Sequence, residues 1–244
     1  MKLFHVAEGE GPTLLLNHGW TTTHRFFQRQ KSLSSRFRLV FWDLPGHGRS
    51  EQRPEGYTLA DCAAALRDLI QQLGLEAAAV LGWSMGGQVI WEYIRRFGPE
   101  PFTKIVNVES IPWAETKRFH VSSVEKSFHR DRPRAQRKMI RNMFHGQVEA
   151  SVVEEMLQEA LQTPTETALK YYREIAHADY REVFASLKIP VLTLLGRHGF
   201  HSDQALDLTD LNPRNPLRWL EHSGHMPFWE EAELFNGIVS DFLL

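Results

Sequence analysis

The chain has almost no cysteine: Cys62 is the single one among 244 residues. One thiol cannot close an internal disulfide, so packing must hold the fold, and a reducing compartment suits it. Also missing is any apolar run near the roughly 18–20 residues of a membrane span. The start, Met1-Lys2-Leu3-Phe4-His5, carries neither a long apolar stretch nor a small-residue cleavage site. A cytoplasmic location with no membrane partner is the expectation. Charge of one sign is lacking too: 28 Lys and Arg stand against 30 Asp and Glu, a formal net charge of −2. No global field draws in nucleic acid. There is no internal repeat and no low-complexity tract. Gly46 and Gly48 mark a turn rather than a phosphate cradle, because no Lys-Ser/Thr follows.

What is present is an alternation. Apolar runs at Thr13–Leu16, Phe37–Trp42, Ala77–Leu81, Ile105–Val108, Val191–Leu195 and Leu217–Leu220 read as buried strands. Helical patterns separate several of them. The clearest runs from Thr58 to Leu73. Thr58 and Asp61 form a capping box, Leu59, Cys62, Ala63, Leu66, Leu69, Ile70 and Leu73 share one apolar face, and Gly74 ends it. This predicts an α/β fold with a mostly parallel, doubly wound sheet and ligands beyond the C-terminal strand ends. From Trp113 to about Lys188 the rhythm breaks into helices, with Pro133 and Pro164 near helix starts. The expected organisation is a core of 1–111 and 189–244, with a helical cap inserted over 112–188.

The strongest chemical signal is Gly82-Trp83-Ser84-Met85-Gly86, a G-x-S-x-G between a strand and a helix. That junction forces a sharp elbow and exposes the serine hydroxyl, while the new helix aims its N–H groups at an oxyanion forming there. Ser84 is therefore the candidate nucleophile. His225 lies in Ser223-Gly224-His225-Met226-Pro227, between the last strand and a final helix. The chain order Ser then His makes it the candidate base. His222 is its neighbour and competitor, but it sits closer to the strand.

These segments, with Asn17-His18-Gly19-Trp20, Trp42-Asp43-Leu44-Pro45-Gly46-His47-Gly48-Arg49-Ser50 and Leu81-Gly82-Trp83-Ser84-Met85-Gly86-Gly87, resemble the α/β-hydrolase superfamily. Within it they are similar to the methyl ester esterases that act on pimeloyl carrier protein in biotin synthesis, and to related small carboxylesterases. The resemblance implies an oxyanion site built from the backbone N–H groups of Trp20 and Met85. It implies ester hydrolysis through an acyl-serine, with no cofactor.

The acid departs from the family's pattern. The usual Gly-x-x-Asp after the penultimate strand reads Gly196-Arg197-His198-Gly199 here. Two acids can take the place. Glu109 ends the strand Ile105–Val108, a position from which some superfamily members supply their acid. Asp203 lies four residues past Gly199, in Ser202-Asp203-Gln204-Ala205, which also reads as a helix start with Asp203 as a cap or first-turn acid. His198, His201 and Asp203 lack the spacing of a metal site, so no metal is expected.

The cap region is locally basic. Lys117–Arg141 holds nine Lys or Arg against Glu125 and Asp131. Such a run is ordinarily a solvated helix face. In the esterases the chain resembles, a basic cap receives an acyl carrier protein, which makes Arg134, Arg137, Lys138 and Arg141 candidate carrier contacts. The expected partner is otherwise a small-molecule ester. Two rival functions stand beside the serine hydrolase. One is a cofactor-independent dioxygenase of the same fold, suggested by Glu109, by Gly98-Pro99-Glu100 and by the missing late aspartate. Dioxygenases of that type carry His after the serine, where this chain has Met85. The other is a non-catalytic ligand-binding member.

Overall fold

The computed structural model describes residues 1–114 and 119–244. The described residues form seven strands in one sheet: β1 (His5–Glu8), β2 (Thr13–Asn17), β3 (Arg38–Trp42), β4 (Ala78–Trp83), β5 (Phe102–Val108), β6 (Val191–Gly196) and β7 (Leu217–Leu220). Their spatial order is β1-β3-β2-β4-β5-β6-β7. Only β1 is antiparallel, pairing with β3. Strands β2, β4, β5 and β6 are buried at almost every position. This is the pattern of parallel strands covered on both faces, and it explains why they read as continuous apolar runs.

Helix α1 (Leu59–Gln72) has the predicted capping box: Thr58 Oγ1 accepts from Asp61 N, and Thr58 N donates to the Asp61 carboxylate. Gly74 stops it at φ +62°. Helix α2 (Met85–Phe97) follows β4 directly and packs against α1 on one side of the sheet. Its Trp91 and Tyr93 are core residues. On the other side a 3-10 helix, His24–Ser35, meets α8 (Pro227–Glu230) and α9 (Ala232–Leu243).

Among the described residues four helices lie between β5 and β6: α3 (Val121–Asn142), α4 (Ala150–Leu161), α5 (Thr165–Ile175) and α6 (Arg181–Ser186). Helix α3 breaks at Asp131, which is extended at φ −162°, ψ 82°, and Pro133 falls in the first turn after the break. Pro164 caps α5. Tyr171 on α5 donates to Pro45 O at 2.9 Å, and Phe184 on α6 packs edge-on against Trp91 at 5.5 Å. The inserted helices thus share the core of the sheet domain. A short α7 (Ala205–Leu211) follows β6. Among the described residues no helix is long and apolar enough to cross a membrane.

Candidate active site

The parallel register brings the C-terminal ends of five strands to one edge: Asn17 opposite Gly82, Trp83 opposite Val108, and Gly196 opposite Leu220. The residues that follow these ends make the site. Ser84 sits at φ 53°, ψ −120°, a conformation that L side chains rarely adopt. It is fixed there because Ser84 N donates to Val108 O at 3.0 Å and Gly87 N donates to Ser84 O at 3.0 Å. The turn is so close that a side chain on Gly86 would strike the backbone of Asn17 and His18. Only glycine lets the helix begin that near β2. Ser84 is partly exposed and lines a cavity of about 380 Å³.

His225 lines the same cavity. Its backbone is clamped from two sides: His225 N donates to Met143 O at 2.7 Å, and Trp83 Nε1 donates to His225 O at 2.8 Å. Its ring stacks on Phe200 at 4.3 Å and lies 5.6 Å from Trp83. Nδ1 is 2.9 Å from Glu109 Oε2. Glu109 itself is fully buried, at the strained φ of 44°. Its carboxylate also accepts from Gly196 N at 2.8 Å and Phe200 N at 3.1 Å.

With Nδ1–H donated to Glu109, the neutral ring keeps its lone pair on Nε2, the tautomer of a general base. Burial pushes His225 below the ordinary imidazole range, so the ring is uncharged at neutral pH. Burial raises Glu109 to about 7, opposed by the nearby His201 and by the two backbone N–H donors. A proton arriving at Nε2 would create an imidazolium beside a carboxylate made to receive it.

Asp203, the other acid weighed above, is exposed and lies in a 3-10 turn, Ser202–Gln204, as a first-turn acid. The carboxylate at His225 Nδ1 is Glu109's. His222 is exposed, its N–H given to Glu231. His198 stacks on His145 at 3.5 Å, whereas His201 lines the cavity and shares a hydrogen bond with Gln204. Among the described residues no group of three or more His, Cys, Asp or Glu is placed to hold a metal.

Trp20 and Met85 also line the cavity. Met85 is the first residue of α2, where a backbone N–H has no partner within the helix. The Trp20 ring is tied to the inserted helices: Nε1 donates to Ala168 O at 2.7 Å, and the ring stacks on Phe128. The loop carrying Trp20 is held by groups that sequence reading did not single out. His47 Nε2 accepts from Thr21 N at 3.2 Å, and His18 Nε2 accepts from Leu44 N at 2.9 Å. Gln136 on α3 donates to Thr21 Oγ1 at 2.9 Å. Trp83, a lone aromatic in the elbow, turns out to hold the His225 loop. The His-Gly and Pro-Gly-His-Gly turns were the visible signal for His18 and His47. Nothing local marked Trp83 or Gln136.

The second half of α3 presents Arg134, Lys138 and Arg141 as exposed residues, with Arg137 partly exposed and paired to Glu154 at 2.9 Å. Asn142 and Met143, which end this helix, line the cavity. Lys117 and Arg118, the start of the basic run, lie outside the described residues.

Comparison with known proteins agrees with this architecture. A protein from Bacillus subtilis (strain 168) named AB hydrolase superfamily protein YisY is 28% identical, with 99% of this chain and 95% of that protein aligned. A protein from Vibrio campbellii named pimeloyl-[acyl-carrier protein] methyl ester esterase is 29% identical, over 96% of this chain and 95% of its own length. Among solved structures, an esterase from Exiguobacterium antarcticum superposes with a TM-score of 0.91 at 20% identity, covering 98% of this chain and 94% of that one. The model of the alpha/beta hydrolase fold family matches residues 12–232, and the chain belongs to that family.

Proposed function

We propose that this protein is a serine hydrolase that cleaves a carboxylic ester through an acyl-enzyme. One observation carries the reading. His225, which lines the cavity together with Ser84, has its Nδ1 2.9 Å from the buried Glu109 Oε2. In this mechanism Ser84 Oγ attacks the acyl carbonyl while His225 Nε2 takes its proton. The amides of Trp20 and Met85 bind the oxyanion, and Glu109 stabilises the imidazolium. His225 then protonates the leaving alcohol. Water, deprotonated by the same nitrogen, releases the acid from Ser84. No step calls for a cofactor. The aromatic and aliphatic cavity walls suit the acyl chain of a small or medium ester. In the same reading, residues 112–188 are a cap over a core of 1–111 and 189–244.

The named relatives motivate a finer reading, in which the ester arrives on an acyl carrier protein. Arg134, Arg137, Lys138 and Arg141 support it, because they stand on a helix whose last turn reaches the cavity. An acidic carrier held on that face would present its acyl chain to Ser84.

A fluorophosphonate probe tests the main reading. The wild-type protein is expected to label at Ser84 and to hydrolyse p-nitrophenyl butanoate. Ser84→Ala and His225→Ala should lose both properties, and the double variant should be no worse than either, since the two share one step. A wild-type serine that resists labelling points instead to a ligand-binding protein. Oxygen uptake with a heterocyclic substrate points to a dioxygenase.

A further inference from the structure

His225 takes its seat from the inserted helices. Its N–H donates to Met143 O at 2.7 Å. Met143 also lines the cavity, together with Met139 and Asn142 at the end of α3. One residue therefore both seats the candidate base and forms part of the wall along which an acyl chain would lie. A single hydrogen bond to the tail of a helix contributes little by itself, so the tail must be held by something else.

Glu230, the last residue of α8, holds it. Oε1 accepts from His145 N and from Gly146 N, each at 2.9 Å. Oε2 accepts from Gly224 N at 2.7 Å. One carboxylate thus joins the segment that follows α3 to the residue that precedes His225. The two backbones meet closely. A Cβ on Gly224 would lie 2.7 Å from Met143 O and 2.8 Å from His145 N, so a side chain there would force the tail away. The loop after β6 closes the third side: His198 N donates to Ser223 O at 3.0 Å, and the His198 ring stacks on His145 at 3.5 Å. Glu230 is not among the described residues that line the cavity, and ester cleavage as proposed gives it no step.

We propose that Glu230 is a positioning residue for His225. By tying Gly224 to His145 and Gly146, it keeps Met143 O under His225 N. The imidazole then stays where it meets Glu109 on one side and Ser84 on the other. Because Met143 belongs to the cavity wall as well, an acyl chain packed against it supports the same seat from within. The reaction in this inference rests on the hydrolase reading, but the placement of His225 against Glu109 is measurable without turnover.

Two readouts test it. The first is the low-field proton resonance of His225 Nδ1–H in the Ser84→Ala protein. Adding Glu230→Ala should broaden or remove that resonance at the same pH and temperature. The second is kinetic, with Ser84 in place and p-nitrophenyl acetate and hexanoate as substrates. Glu230→Ala should lower kcat for the acetyl ester about tenfold or more, since a misplacement on the order of 1 Å costs about 10²-fold. The hexanoyl chain reaches the wall and restores the seat, so its kcat should fall by about threefold at most. KM for each ester should stay within about twofold, because the substrate contacts are untouched. Should the alanine variant lose its cooperative melt, Glu230→Gln carries both readouts: its amide cannot accept from Gly224 N and from the α3 tail at once. An unchanged resonance overturns the proposal, and so does an equal loss of kcat on both esters, the mark of a merely structural role. If the wild-type protein cleaves neither ester, the hydrolase reading falls, and the resonance alone decides whether Glu230 places His225.

Discussion

The carboxylate of Glu109 fills the space above the Cα of Gly199: a Cβ built on that glycine would overlap both oxygens and the carboxyl carbon. Gly199 stands where the family usually carries its aspartate. β5 and β6 are neighbours, so an acid at either tip can reach the loop that follows β7. The two positions share one volume and exclude each other. In this chain the carboxylate beside His225 follows β5, and the residue at the β6 position has no side chain.

The first prediction concerns which carboxylate supports His225. Glu109→Gln keeps the shape and removes the charge that fixes the imidazole tautomer. The corresponding change in a serine protease lowers kcat by about 10⁴. A loss on the order of 10²-fold or more in kcat is expected here for Glu109→Gln. Asp203→Asn, on the exposed turn, should leave kcat within about threefold, far short of the loss for removing a triad acid. Steady-state kinetics on p-nitrophenyl butanoate would decide it, and the reverse ranking would return the role to Asp203.

Gly199→Ala should be harmful out of proportion to one methyl group. The new Cβ must push Glu109 away from His225 Nδ1 or bend the loop that carries Phe200. Overpacking of this kind costs about 1–3 kcal/mol. For a chain of this size each 1 kcal/mol is about 2–4 °C in Tm. A fall in both Tm and kcat is expected. A variant with wild-type melting and wild-type turnover would mean that the overlap is relieved without cost.

Much of this was legible in the residues themselves. The parallel core strands are buried on both faces, so their apolar runs stand out. The capping box at Thr58 and Asp61 and the stop at Gly74 are local chemistry, and they formed as read. Ser84 and His225 sit in turns whose glycines announce them. What escaped detection depends on distant partners. Strand β1 is four residues long and half-buried, and carries little periodicity. The 3-10 helix at His24–Ser35 has a non-helical residue, Phe27, inside it. The single final helix expected after His225 is two, α8 and α9, with Glu231 at φ −120°, ψ 50° between them. The choice between Glu109 and Asp203 stayed open in sequence because the space over Gly199 is created by chains ninety residues apart. The roles of His18, His47 and Trp83 are long-range for the same reason.

Stability should fall on the acid side of neutrality. Burial lowers His18 to about 4 and His47 to about 3, and His225 likewise to about 3. His18 and His47 accept a backbone N–H at Nε2 and so are satisfied as neutral rings. A lowered pKa means that the unfolded chain takes up protons first. The contribution is whole above the unfolded value of about 6.5 and drains away as pH falls toward 4. Glu109, raised to about 7, acts with the opposite sign between roughly 7 and its unfolded value of about 4.3, and offsets one of the three. The net slope is about two protons, or ~3 kcal/mol per pH unit, between about pH 6 and 4.5. Urea unfolding at pH 7, 6 and 5 measures it. A flat stability over that interval would refute the neutral burial of these rings.

Ser84→Gly should stabilise the protein that it inactivates. A non-glycine residue held at a sparsely populated φ costs on the order of 1–3 kcal/mol, and glycine returns about 0.5–1 of that as unfolded-state entropy. A net gain of about 1 kcal/mol corresponds to roughly 2–4 °C in Tm. Ser84→Ala removes the hydroxyl but keeps the strained backbone, so its melting temperature should match the wild type. The difference between the two variants isolates backbone strain from the loss of the hydroxyl. Identical melting temperatures would mean that the elbow is not strained.

The charge of α3 tests whether the proposed ester substrate comes free or on a carrier. Arg134, Lys138 and Arg141 are exposed, and the helix they stand on ends at the cavity wall. Reversing Arg134 and Lys138 to Glu leaves the cavity lining alone and spares the Arg137–Glu154 pair. If an acidic carrier docks there, kcat/KM for a carrier-bound ester should drop about tenfold or more at low salt. The gap to wild type should narrow as ionic strength rises and screening shortens the reach of the charges. Hydrolysis of p-nitrophenyl butanoate reports on the cavity without the carrier, and it should change little. Equal loss on both substrates would indicate damage to the inserted helices. No loss on the carrier-bound ester, at any salt concentration, would leave the basic face as an ordinary solvated surface and the substrate as a free small ester.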